Sequence, residues 1–137
     1  IVRDNLLLAS NFSGLSFSNT KTAIAHSISY PLTNFYGIPH GIASSITLIP
    51  ILKKYSILIK TPISKIQNNL EIDDIGKLID MIYNIPQGFF SYRLRDWNIG
   101  DKDISKIVDK CFASDRIDNF IIKLNKKDVH EIIQSCF

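Results

Sequence analysis

Apolar residues recur at three- and four-residue steps along almost the whole chain, and nowhere do they alternate with polar ones for more than a few residues. That pattern decides the fold class, because a helix buries one face with a period of 3.6 while a half-buried strand buries every second residue. The predicted class is all-α. Val2, Leu6, Ala9 and the neighbouring leucines mark a first helix to about Asn11, broken at Gly14 in Ser13-Gly14-Leu15-Ser16. A second helix is predicted from Ser18 or Asn19 as N-cap to about Tyr30, where Pro31 disfavours helix at the residue before it, and the segment to Pro39 reads as loop. The third starts at His40-Gly41 and runs to about Tyr55, bent at Pro50. Ile57-Leu58-Ile59 reads equally as a short strand or a helical extension. Thr61-Pro62 opens a short helix to Asn69. Asp73 and Asp74 open the next, with Ile75, Leu78, Ile79 and Ile82 on one face. Residues 85–100 form an irregular aromatic connection. Asp101 or Asp103 then caps a helix with the face Ile104, Ile107, Val108 and Cys111, and Asn125 caps a last one with Val129, Ile132 and Ile133 inward.

The 137 residues suffice for one domain with a real core, predicted as a single helical unit over 1–137. Sixteen basic and thirteen acidic side chains leave a net charge of +3, with no basic cluster longer than Lys53-Lys54 or Lys126-Lys127. That excludes a nucleic-acid binder that works by a concentrated basic surface. Cys111 and Cys136 are far apart and form no CxxC, so they read as reduced, small core residues of a cytoplasmic protein. No single apolar run approaches the ~18–20 residues that span a bilayer, and no membrane association is expected. The chain opens on Ile1, inside an apparent helix with no capping residue before it. It therefore reads as a fragment of a longer protein.

The candidate chemistry lies in the first third. His26 and Tyr30 are four residues apart and share a helix face. His40 opens the next helix, where Gly41 lets the backbone come close to a neighbour or ligand. Neutral imidazole is the commonest protein ligand for a transition metal, and two from neighbouring helices can fix part of a metal site without filling it. Either histidine alone reads more simply as a core residue; it is their company that points elsewhere. The other candidates have plainer readings. His130 is a solvated helix residue, Tyr92-Arg93-Leu94-Arg95-Asp96-Trp97 a packed aromatic loop, and Lys21 a solvated residue. No glycine-rich phosphate loop occurs.

Ser13-Gly14-Leu15-Ser16-Phe17, His26-Ser27-Ile28-Ser29-Tyr30-Pro31-Leu32, Ile38-Pro39-His40-Gly41 and Ile49-Pro50 together resemble, in order and spacing, the signature region of the iron-dependent (group III) alcohol dehydrogenases. The motif covers about a third of the chain; helices near 71–84 and 101–114 and the final one are similar in pattern only. The resemblance implies the C-terminal helical domain of a two-domain enzyme of the dehydroquinate synthase-like fold. Its N-terminal Rossmann-like domain, absent from this chain, would bind NAD or NADP. It implies a divalent metal, Fe or else Zn, held by one Asp and three His. Two of these match His26 and His40, and an upstream Asp-x-x-x-His segment that does not occur here would supply the rest. Hydride then passes between nicotinamide and a metal-bound small alcohol or aldehyde. Phe17 matches a position lining the substrate pocket. Tyr30 stands where many members carry a non-ligand histidine near substrate and nicotinamide. Ser29-Tyr30-Pro31-Leu32-Thr33, with Lys21-Thr22 upstream, resembles the branch that includes phosphonoacetaldehyde reductases and suggests an anionic or polar aldehyde. The family implies a homo-oligomer. By this reading the fragment alone is inactive. Two alternatives stay open: a zinc-dependent relative of the glycerol dehydrogenase or dehydroquinate synthase type, and a non-catalytic helical interaction module that keeps the histidines for packing.

Overall fold

The computed structural model describes residues 1–113 and 115–137. Among them are eight α-helices and no strand: α1 (Val2–Thr20), α2 (Ile24–Tyr36), α3 (His40–Ile46), α4 (Leu48–Tyr55), α5 (Lys60–Asn69), α6 (Ile75–Asn84), α7 (Ile104–Cys111) and α8 (Lys126–Gln134). Short 3-10 turns at Ser56–Ile59, Leu94–Trp97, Asp101–Asp103 and Asp115–Asn119 connect them. The end of the helix expected over 101–114 falls on Ser114, outside the described residues; α7 itself stops at Cys111.

Helix α2 is the spine. Ile24, Ile28 and Leu32, one turn apart, are fully buried, and they meet Ile104, Ile107 and Val108 of α7 and Val129, Ile132 and Ile133 of α8 in one cluster. Each such side chain contributes about 1.5–3 kcal/mol by leaving water. Leu52, Ile63 and Leu78 centre a smaller cluster between α4, α5 and α6. Two predicted caps form. Asp74 accepts from the Lys77 N–H at 3.0 Å, and Asn125 and Asp128 cap one another's backbone reciprocally at 3.0 and 3.1 Å.

Several boundaries differ from the sequence reading, each for a local reason. Helix α1 runs straight through Gly14 to Thr20, so Ser18 and Asn19 end a helix instead of starting one. An isolated glycine costs a helix only about 1 kcal/mol relative to alanine. Helix α2 likewise continues through Pro31 to a left-handed Gly37, whose N–H closes on the Leu32 and Thr33 carbonyls. An interior proline costs about 3 kcal/mol, which burial of Ile28 and Leu32 on either side offsets. Pro50 has the larger effect: the single third helix expected is two, parted at Thr47. Proline has no N–H for the carbonyl four residues back, here Ile46, and its ring crowds that carbonyl. The buried thiol of Cys136 lies 3.6 Å from the Ile46 oxygen and 3.4 Å from that of Ile132, so it serves as a weak donor there. Ile57-Leu58-Ile59 adopts a 3-10 turn, not a strand. The turn at Asp115–Asn119 has no counterpart in the sequence reading.

Cys111 and Cys136 are buried core thiols, with burial pushing each up to about 12. The aromatic loop packs as expected: the Tyr92 hydroxyl donates to the Ile82 carbonyl at 3.0 Å, and the Trp97 indole to that of Ser91. His130 is exposed. The stretch His40–Asn69 is long and apolar enough for a membrane span, an 18-residue window within it reaching a mean hydropathy of 1.5. It is folded as α3, α4, a 3-10 turn and α5, and Ala43, Ile46, Ile51, Leu52 and Tyr55 within it face the protein core.

Candidate metal centre and adjoining cleft

Helix α2 ends at Gly37, the chain turns through Ile38 and Pro39, and α3 begins at His40 packed against α2. This turn brings the first residue of α3 back beside the middle of α2. The His26 and His40 rings consequently lie 5.5 Å apart, centroid to centroid, edge to face at 64°. Tyr30, one turn beyond His26, has its ring 5.5 Å from that of His40. His26 is half-buried and His40 exposed. Two imidazoles bound through one nitrogen each to a common ion at about 2.1 Å would have their centroids about 5 Å apart. The pair fits that demand. Burial, then the neighbouring His40 and the Arg116 guanidinium, hold His26 below the ordinary imidazole value, and so keep it in the neutral form that binds metal. Among the described residues no group of three or more His, Cys, Asp or Glu gathers at one point. A Cβ built at Gly41 meets nothing within 4 Å, so no protein neighbour requires the glycine.

Beside the histidines opens a cleft of about 640 Å³, lined by Phe17, Lys21, Thr22, Tyr30, Arg116, Asp118 and Asn119. Phe17 is 48% exposed and belongs to the cleft wall, not to the core. Phe17 and Tyr30 thus share one cleft, and Tyr30 joins it to the histidine pair. Between α1 and α2 the chain bends at Lys21, whose φ of 63° and ψ of 176° fall in a region essentially reserved for glycine. The bend is pinned from 99 and 97 residues away: the Asn119 side-chain amide donates to the Thr20 carbonyl at 2.6 Å and to that of Thr22 at 3.2 Å. The same 3-10 turn places the Arg116 guanidinium 4.7 Å from the centre of the Tyr30 ring. Arg116 and Asn119 were invisible to the sequence reading, because no local spacing links them to α2.

The profile of the Fe-containing alcohol dehydrogenase family, C-terminal part, matches residues 1–137. The chain is 32% identical over 76 residues to the 4-hydroxybutyrate dehydrogenase of Clostridium kluyveri, covering 56% of this chain and 18% of that one. It is 23% identical over 150 residues to the 1,3-propanediol dehydrogenase of Citrobacter freundii, covering 98% of this chain and 37% of that one. It therefore spans well under half the length of these curated relatives. A solved 1,3-propanediol oxidoreductase superposes with a TM-score of 0.73 over 84% of this chain and 32% of its own, at 18% identity, which establishes the fold. Helical architecture, the order of the motifs and the match along the full 137 residues agree: this chain belongs to the Fe-containing alcohol dehydrogenase family and corresponds to its C-terminal part.

Proposed function

We propose that residues 1–137 form the helical, metal-binding domain of an NAD(P)-dependent dehydrogenase acting on a short alcohol or the corresponding aldehyde. The observation that carries this reading is the pair of imidazoles 5.5 Å apart, with Tyr30 beside them at the mouth of a cleft. His26 and His40 would hold the metal. An Asp and a further His would come from a nucleotide-binding domain that precedes these residues in the full-length protein. When bound, a divalent ion, iron or else zinc, supplies a Lewis acid for the substrate oxygen, and nicotinamide supplies or takes the hydride.

This chain's own residues do the rest. His26, kept neutral by its surroundings, presents a lone pair at no deprotonation cost near neutral pH. Phe17 and Tyr30 form the wall against which the carbon chain lies, shedding water from the reacting end. The Tyr30 hydroxyl offers a hydrogen bond to a polar substrate group. Substrate scope fits small molecules, since the similar proteins are a 1,3-propanediol dehydrogenase and a 4-hydroxybutyrate dehydrogenase. The proposed setting is cytoplasmic and oligomeric, in keeping with a metabolic enzyme.

The test is metal content and NAD(P)-linked alcohol oxidation of the full-length protein beside its His26→Ala and His40→Ala variants. Both variants are expected to stay folded and to lose bound metal together with at least 100-fold in activity, as losing even a residue that merely orients a metal ligand costs about 10–100-fold. Retention of metal and activity in both would assign the histidines to packing and overturn their role as ligands; a full-length protein with neither metal nor activity would favour the non-catalytic helical module.

A further inference from the structure

The cleft beside the histidines carries two cations that metal chemistry does not use. Lys21 enters it from the bend after α1, and Arg116 from the 3-10 turn before α8; among the described side chains Asp118 is the acidic one on the same wall. Their placement is specified by the fold. Lys21 sits at a backbone conformation foreign to any residue but glycine, and Asn119 ties that bend to the turn bearing Arg116. Backbone strain that is held in place in this way concentrates at ligand sites. A guanidinium stacked on an aromatic face keeps its in-plane N–H donors available, and their fork matches the two oxygens of a carboxylate or phosphonate.

We infer that Arg116, seconded by Lys21, anchors an oxyanion at the far end of the substrate, so that this protein acts on a short hydroxy- or oxo-acid in preference to a neutral alcohol. The inference rests on the cleft being the substrate site of the function proposed above. Scale agrees with it. The steps from His40 to Tyr30 and from Tyr30 to Arg116 are 5.5 and 4.7 Å. Two such steps keep the guanidinium within about 10 Å of the His40 ring, a reach that a short substrate functional at both ends can cover with each end held at about 3 Å. Among the described lining side chains Asp118 offsets one of the two cations and leaves a positive balance, which favours a singly charged end over a neutral one.

The test uses the full-length, metal-loaded protein with 4-hydroxybutyrate and 1,4-butanediol, which differ in the terminal group. Calorimetric titration with 4-hydroxybutyrate and with 2-hydroxyethylphosphonate gives a readout independent of turnover. Arg116→Gln is expected to lower the ratio of kcat/KM for 4-hydroxybutyrate over 1,4-butanediol, and affinity for the anion, by roughly 10- to 100-fold, the worth of a charge-assisted hydrogen bond. Arg116→Lys falls between, since it keeps the charge and loses the fork. Lys21→Ala has a smaller effect, and Lys65→Ala on α5, outside the cleft, none. Tighter binding of one probe than the other tells carboxylate from phosphonate. Anion binding that depends on Arg116 in a protein that oxidises neither alcohol would uphold the anchor and refute the dehydrogenase. A ratio and an affinity both indifferent to Arg116→Gln would overturn the anchor, whatever the turnover.

Discussion

Lys21 condenses the tension between stability and site at a single residue. At φ 63° and ψ 176° its Cβ is in conflict with its own backbone, a conformation that costs about 1–3 kcal/mol. Replacing it by glycine removes that conflict while adding about 0.5–1 kcal/mol of unfolded-state entropy. Lys21→Gly is therefore expected to raise stability by about 1 kcal/mol in denaturant titration while weakening affinity for an anionic probe; an unchanged or lower midpoint would mean the bend is not strained. His26 gives the second prediction at this scale. Its folded-state value lies below 6.5, through burial first and then His40 and Arg116, so the unfolded chain takes up the proton more readily. Stability from this source is fully present above pH 6.5 and is lost as pH falls through the folded value. Metal-free protein should therefore lose thermal stability between pH 7 and 5, and His26→Gln should flatten that part of the curve. Asp73 and Glu131, held low by hydrogen bonds from Lys77 and Lys54, act in a separate window below about pH 4.5. An equal slope between pH 7 and 5 in both proteins would exclude His26 as the source.

At the scale of elements, what the sequence made legible was what depends on one short stretch of chain. The faces of α7 and α8 were readable because Ile104, Ile107, Val108 and Cys111, or Val129, Ile132 and Ile133, bury one stripe of a helix whatever it packs against. The Asp74 and Asn125 caps were readable because the partner N–H lies three residues on. Breakers were misjudged wherever the outcome turned on remote neighbours. Pro31 is tolerated because a core surrounds α2, whereas Pro50 splits its helix, with Cys136 from the far end of the chain closing on the stranded Ile46 carbonyl. The site divides along the same line. His26, Tyr30 and His40 are near in sequence, and their order alone suggested the pairing that the α2–α3 turn produces. Arg116 and Asn119 reach the cleft through the packing of the Asp115–Asn119 turn against α2, and no pattern of period 3.6 encodes that contact.

The whole molecule is lopsided, and that asymmetry bears on the proposed domain arrangement. Helices α2, α7 and α8 enclose a closed core, while α1 buries no residue along its nineteen and exposes Leu6, Leu7, Leu8, Phe12 and Leu15. A helix so little supported is marginal in water, because tertiary packing of an apolar face supplies most helical stability. Its side-chain tie to the rest runs through Asn119 to Thr20, with Thr22 in the bend just beyond. An apolar surface of this kind is expected to be covered by another part of the protein, and the nucleotide-binding domain proposed to precede these residues is the occupant that the family architecture offers. Hydrogen exchange distinguishes the cases. In residues 1–137 alone, amides of α1 are expected to exchange near the unprotected rate while those of α2, α7 and α8 stay protected. In the full-length protein α1 should gain protection of at least about tenfold, equivalent to 1.4 kcal/mol, and the Phe17 side of the cleft should be held with it. If α1 exchanges equally fast in both, no domain covers it. The cleft wall would then be half mobile, and the two-domain reading of this chain would fall even with its metal ligands intact.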